Sequence, residues 1–82
     1  MLAVGLAAQV FPNPSDQHFT LQITSDKQER IWIRVMDLQG RVVYKAQGLP
    51  GNYSMGQNLV GGTYIVEVIQ GSQKRLLKVM KR

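Results

Sequence analysis

Cysteine is absent from this 82-residue chain, and histidine occurs once, at His18. Without thiols there is no disulfide staple and no thiolate metal site, and one imidazole cannot assemble a histidine-based metal cluster. Stability has to come from packing, and packing is scarce. A chain of this length buries only about 60% of the surface its unfolded form exposes, which is one thin core. Little depth remains for the cleft with converging polar groups that most active sites need. No metal, cofactor, small-molecule substrate or catalytic residue is expected. The missing cysteines leave the compartment open, because exported bacterial proteins often dispense with disulfides.

Long apolar runs are also missing. None approaches the roughly 20 residues of a membrane-spanning helix. The run Leu2–Ala8 has no basic residue before it and reaches only the short limit of a signal-peptide core. The chain reads instead as a module cut from something larger, with Met1 as a start codon added to a fragment, residues 1–7 as the remnant of a linker and residues 8–82 as the domain. Acidic residues are few, five against ten basic ones. Up to Glu67 the two signs balance: Lys27, Arg30, Arg34, Arg41 and Lys45 against Asp16, Asp26, Glu29, Asp37 and Glu67. Lys74, Arg75, Lys78, Lys81 and Arg82 carry the whole excess and have no acidic neighbour in sequence. With six aromatics in the chain and none interleaved with this basic stretch, the stacking platforms of a nucleic-acid site are not there. A solvated, charged edge strand accounts for it.

What the chain has is two-residue alternation. Phe19, Leu21 and Ile23 alternate with Thr20, Gln22 and Thr24. Ile31, Ile33 and Val35 do the same and leave Trp32, Arg34 and Met36 on the opposite face. Asp37-Leu38-Gln39-Gly40 is a turn into Arg41–Lys45, giving a hairpin with a loop of about four residues. Gly48 to Gly62 reads as loop with a short strand near 53–57. Tyr64, Val66 and Val68 form another alternating set, and Gly71-Ser72 turns the chain into a last strand near 73–80. With a strand before Pro12, the pattern predicts an all-β, immunoglobulin-like sandwich of about seven short, mostly antiparallel strands.

Phe11-Pro12-Asn13-Pro14-Ser15 is the most distinctive local feature. Two prolines fix two φ angles and push the residues before them out of the helical region, so the chain leaves the first strand along one path. This is either a rigid corner between sheets or a recognition element. Asp37 and Gly40 suit the start and the end of a turn. No second carboxylate lies near Asp37 to form an acid/base pair or a calcium loop. Gly61-Gly62 precedes a strand, not a helix N-terminus, which excludes a phosphate loop. His18 has no nucleophile or acid near it in sequence, and Ser15, Ser25, Ser54 and Ser72 sit in turn-like contexts. Trp32 covers an edge, packs in a second cluster, or joins Ile65 and Ile69 in an exposed patch if their strands are neighbours.

The order and spacing of Phe11-Pro12-Asn13-Pro14, Asp37-Leu38-Gln39-Gly40-Arg41 with Val43, Leu59-x-x-Gly62-x-Tyr64-x-Val66-x-Val68 and a basic final strand resemble the type IX secretion system C-terminal sorting domain of Bacteroidota. The resemblance covers residues 8 to 82. Phe11 stands where the family often has tyrosine, and Val60 where proline is common. The resemblance implies an address label on exported cargo. A passenger fused upstream crosses the inner membrane by its own signal peptide. The label is then read in the periplasm by the outer-membrane type IX translocon and removed by a sortase-like cysteine protease, and the cargo reaches the surface or the medium. Recognition is expected at Pro12, Asn13 and Pro14 and at Lys74, Arg75, Lys78, Lys81 and Arg82, with Asp37, Gly40, Gly62 and Tyr64 as structural positions. The rival is a non-catalytic module for a surface glycan or protein, with Trp32, Tyr44 or Tyr53 as its platform.

Overall fold

Each alternating segment is a strand with its apolar side turned inward. The computed structural model describes residues 5–82. Its elements are β1 (Ala7–Phe11), β2 (Phe19–Thr24), β3 (Ile31–Asp37), β4 (Val42–Gly48), β5 (Asn52–Met55), β6 (Gly62–Gln70) and β7 (Gln73–Lys81), with no helix among the described residues. They form a three-stranded sheet, β1-β2-β5, and a four-stranded sheet, β4-β3-β6-β7. Every neighbouring pair is antiparallel. Sheets of three and four strands facing each other across one core make an immunoglobulin-like sandwich.

The nine residues expected inside are inside: Phe19, Leu21, Ile23, Ile31, Ile33, Val35, Tyr64, Val66 and Val68 are all buried. Leu6, Met55 and Val79 complete the cluster. At about 1.5–3 kcal/mol for each large apolar side chain taken from water, this cluster is the main force holding the two sheets together. Gly5 to Ala7, read from the sequence as the end of a linker, lie against the sandwich. Leu6 is buried, its N–H donates to Gln73 Oε1 at 2.9 Å, and Ala7 pairs with Thr24. Residues 1–4 of that stretch lie outside the described residues.

One polar side chain belongs to this core as well. Gln70 continues the inward phase of β6 and is buried, yet both its amide hydrogens and its oxygen are bonded. Its amide donates to the carbonyls of Lys27 and Glu29 at 3.1 and 2.9 Å, and its oxygen accepts from the Ser25 hydroxyl. A buried amide is stable only when so satisfied, and here it ties the β2–β3 loop to the end of β6.

Candidate functional site

Reversal of direction from strand to strand decides which loops meet. The ends of β1, β3, β5 and β7 and the starts of β2, β4 and β6 lie at one pole of the sandwich. The Pro12–His18 corner, the Asp37–Arg41 turn, the Gly56–Gly61 loop and Arg82 therefore converge there. Gly5 and Leu6 enter at the other pole.

Of these, the corner is bonded to the last strand. Asn13 donates through Nδ2 to the Lys78 carbonyl at 3.0 Å and accepts from the Met80 N–H at 2.9 Å. Ser15 continues the contact: its N–H donates to the Met80 carbonyl and its carbonyl accepts from the Arg82 N–H, both at 2.8 Å. The fully buried Ser15 hydroxyl donates to the His18 carbonyl at 2.7 Å, so it faces backbone and not the imidazole. Pro12, Asn13 and Pro14 remain exposed on the outside of this clamp. The corner is thus rigid, and it shares one surface with the end of β7.

The basic residues do not all gather there. Lys78 and Arg82 are exposed at the pole, and Arg82 lies 3.3 Å from Asp16. Lys74 and Arg75 sit toward the opposite end of β7, about 26 and about 23 Å along the strand from Arg82 at about 3.3 Å per residue. Lys74 has a carboxylate near it in space, Glu67 at 3.9 Å. Lys81 departs furthest from the solvated charge expected of it. Its position follows the inward phase of Leu77 and Val79, and it is 5% exposed. Its ammonium donates to the carbonyls of Gly56 and Leu59 at 2.7 and 3.0 Å. Those bonds offset the cost of burying a cation and hold the β5–β6 loop from beneath. Replacing Lys81 by methionine removes the only side-chain bonds to these carbonyls among the described residues, and is expected to lower stability by about 1–3 kcal/mol. Lys78→Met is expected to change it by no more than about 0.5 kcal/mol. Urea unfolding of the two variants checks this, and equal losses would contradict it.

The four structural positions shape the same pole. Tyr64, buried near the start of β6, donates its hydroxyl to the Val60 carbonyl four residues back at 2.6 Å, the tyrosine corner found in immunoglobulin-type sandwiches. Gly62 opens β6 opposite Lys81. Asp37 closes the hairpin: Oδ1 accepts from the N–H groups of Gln39 and Arg41, both at 2.9 Å, and Oδ2 from Arg41 Nε at 2.8 Å. Gly40, with φ of 86°, completes that turn. Between turn and loop runs an open groove of about 480 Å³ whose rim carries Leu38 and Val60, 71% and 77% exposed. Sequence reading gave these two no role; a hydrophobic residue at the tip of a polar turn was the available signal.

The backbone N–H of Arg41 does most to hold the Asp37 carboxyl below its ordinary value of 3.8; partial burial opposes this, and the Arg41 side chain and the Gln39 N–H reinforce it. A carboxylate lowered in the folded state stabilises above its unfolded value, and the benefit is lost as pH falls through the folded one. Asp37→Asn is therefore expected to be less stable than the parent at neutral pH, with the gap closing as pH drops below 3.8. Denaturant unfolding across that range measures it.

Of the three side chains considered as a glycan platform, two are turned to structural use and one is exposed. Tyr44 and Tyr53 pack against the core, and Tyr53 gives its hydroxyl to the Leu49 carbonyl. Trp32 is exposed on the outer face of the four-stranded sheet, opposite Ile69.

Comparison with known proteins agrees with this geometry. A solved structure of PorZ, described as an essential bacterial surface component of the type-IX secretion system of Porphyromonas gingivalis, superposes with a TM-score of 0.74 at 19% identity. It covers 93% of this chain and 11% of the PorZ chain, and the likeness is one of fold. No curated protein sequence matches the chain. The family model of the secretion system C-terminal sorting domain matches residues 9–82. With its motifs in that order and gathered at one end of a sandwich, the chain belongs to the type IX secretion C-terminal sorting domain family.

Proposed function

We propose that the export machinery reads this sorting domain at the pole where its motifs meet. The domain is a C-terminal type IX secretion signal, which directs export to the cell surface or the extracellular space. The observation that carries the proposal is the convergence of the corner, the hairpin turn, the tyrosine-corner loop and the end of β7 at one pole, away from the entry of Gly5 and Leu6. In this reading a passenger fused upstream travels through the periplasm and the pole docks on the outer-membrane translocon. A sortase-like cysteine protease then separates passenger from label. Pro12, Asn13, Pro14, Lys78 and Arg82 present the docking surface, and Lys81 supports it from within.

In this reading the domain is read by other proteins and performs no chemistry of its own. His18 is exposed and has neither a carboxylate nor a hydroxyl bonded to its ring among the described residues. The groove at the pole is open and rimmed by apolar side chains, with no pair of groups poised to activate each other.

The test is the surface fraction of a signal-peptide-bearing reporter fused to residues 1–82 in a bacterium that has the type IX machinery. Export is expected to be lost when the domain is deleted. It is expected to fall at least tenfold when Leu38→Ser, Val60→Ser and Arg82→Gln are combined, with the melting curve unchanged. Equal export with and without the domain would overturn the sorting role. Normal export of the triple variant would overturn the assignment to this pole.

A further inference from the structure

The outer face of the four-stranded sheet is more apolar than its exposure warrants. An antiparallel sheet that faces water on one side normally turns polar residues outward. Here the outward positions of β3, β6 and β7 include Trp32, Met36, Ile65, Ile69, Leu76 and Met80. Cross-strand pairing sets Trp32 opposite Ile69 and Met36 opposite Ile65, with Leu76 of β7 opposite Glu67 and diagonal to Ile65 and Ile69. Trp32, Leu76 and Met80 are 48%, 60% and 49% exposed.

Apart from Glu67, the charges on this face are positive. Arg34, Lys45, Lys74 and Lys78 stand among and around the apolar side chains. Its carboxylate, Glu67, is 5% exposed and already taken, with Arg34 Nη2 at 2.6 Å and Lys74 at 3.9 Å. Glu67 also accepts from Arg34 Nε at 2.6 Å, so that guanidinium is held in one orientation. Trp32, Arg34, Lys45, Gln47 and Ile69 line a groove of about 470 Å³. An apolar centre with Trp and Arg and a charged rim is the anatomy of a protein interface.

We infer that this face is a second docking surface, distinct from the motif pole, and that its occupant is a protein surface carrying carboxylates around an apolar patch. This inference rests on the sorting role. Charge complementarity selects the occupant: a second copy of the chain would set cations against cations with no free carboxylate to answer them. The cross-strand order of the apolar side chains, with Arg34 held in place by Glu67, suits a partner of fixed shape more than a fluid lipid surface, which rewards apolar area and charge without regard to arrangement.

The test uses the same exported fusion with a photo-cross-linking residue at position 32, and at position 24 on the outer face of the other sheet as control. Position 32 is expected to give at least fivefold more cross-linked protein than position 24, through peptides richer in Asp and Glu than in Lys and Arg. Lys45→Glu with Lys74→Glu, both away from the motif pole, is expected to lower both that adduct and export at least tenfold, with an unchanged melting curve. If this pair fails to fold, Lys45→Gln with Lys74→Gln takes its place, with a threefold loss expected. Normal adduct and export from the reversed face would overturn the proposal and leave the sorting role standing. A fusion exported equally without the domain would remove the sorting role itself. Cross-links to a second copy, or co-sedimentation with phosphatidylglycerol vesicles and lipid adducts at position 32, would overturn the inference in favour of those occupants.

Discussion

Alanine at Gly56 is expected to lower the unfolding free energy by about 2–5 kcal/mol, the sum of a backbone cost of about 1–2 kcal/mol and an overpacking cost of about 1–3 kcal/mol. The backbone cost arises because Gly56 has φ of 93°, where a Cβ crowds the neighbouring peptide. The overpacking cost arises because that Cβ would run into the ring of Phe19, which is fully buried and has nowhere to retreat. Gly40 separates the two. Its φ is 86°, but a Cβ there meets nothing within 4 Å, so Gly40→Ala carries the backbone cost alone. In a domain of this size each kcal/mol moves the melting temperature by about 4–8 °C. Thermal scans of both variants should show Gly56→Ala melting well below Gly40→Ala. Equal melting would mean that the Phe19 ring yields without cost.

Ile33 and Trp32 are neighbours in sequence on opposite faces of β3, and the effects of truncating them are expected to separate. Ile33 is 1% exposed inside the core, and Ile33→Ala is expected to cost about 2–5 kcal/mol through lost burial and the cavity left behind. For a thin single-core domain that is a large part of its total stability. Trp32 is half exposed, so Trp32→Ala is expected to cost less than about 1 kcal/mol. Denaturant unfolding measures both. A loss at Trp32 as large as that at Ile33 would mean that the tryptophan holds the fold and does not serve a partner.

The strands were legible in the sequence because a half-buried strand must alternate, and Ile31, Ile33 and Val35 have no other economical arrangement. The shared pole was legible in principle too, since in a chain that reverses at each strand the loops after alternate strands fall at the same end. What alternation does not encode is which strands become neighbours. Trp32 had three readings until β6 was found beside β3, which set Ile69 opposite it. The Asn13 bonds to β7 span 65 and 67 residues of sequence, beyond any local rule. Lys81 was misjudged for a different reason: its phase pointed inward, but its charge argued for solvent, and the carbonyls of Gly56 and Leu59 that reverse the balance belong to a distant loop. Leu6 was hidden by its setting in an apolar, alanine-rich stretch that lacks strand alternation.

The clamp between the corner and the last strand also has a mechanical meaning. Gly5 enters at one pole and Arg82 leaves at the other, so a pull between them runs along the strands and not across them. In that direction the five residue pairs of β1 with β2 and the four bonds that join Asn13 and Ser15 to Lys78, Met80 and Arg82 are loaded side by side. Bonds loaded in parallel share the force and fail together, whereas a strand peeled from its edge gives way one bond at a time. A cargo dragging on the N-terminal end while the far pole is held would meet this shear geometry, and the lifetime of the folded label under tension would be set by its unfolding rate along that axis.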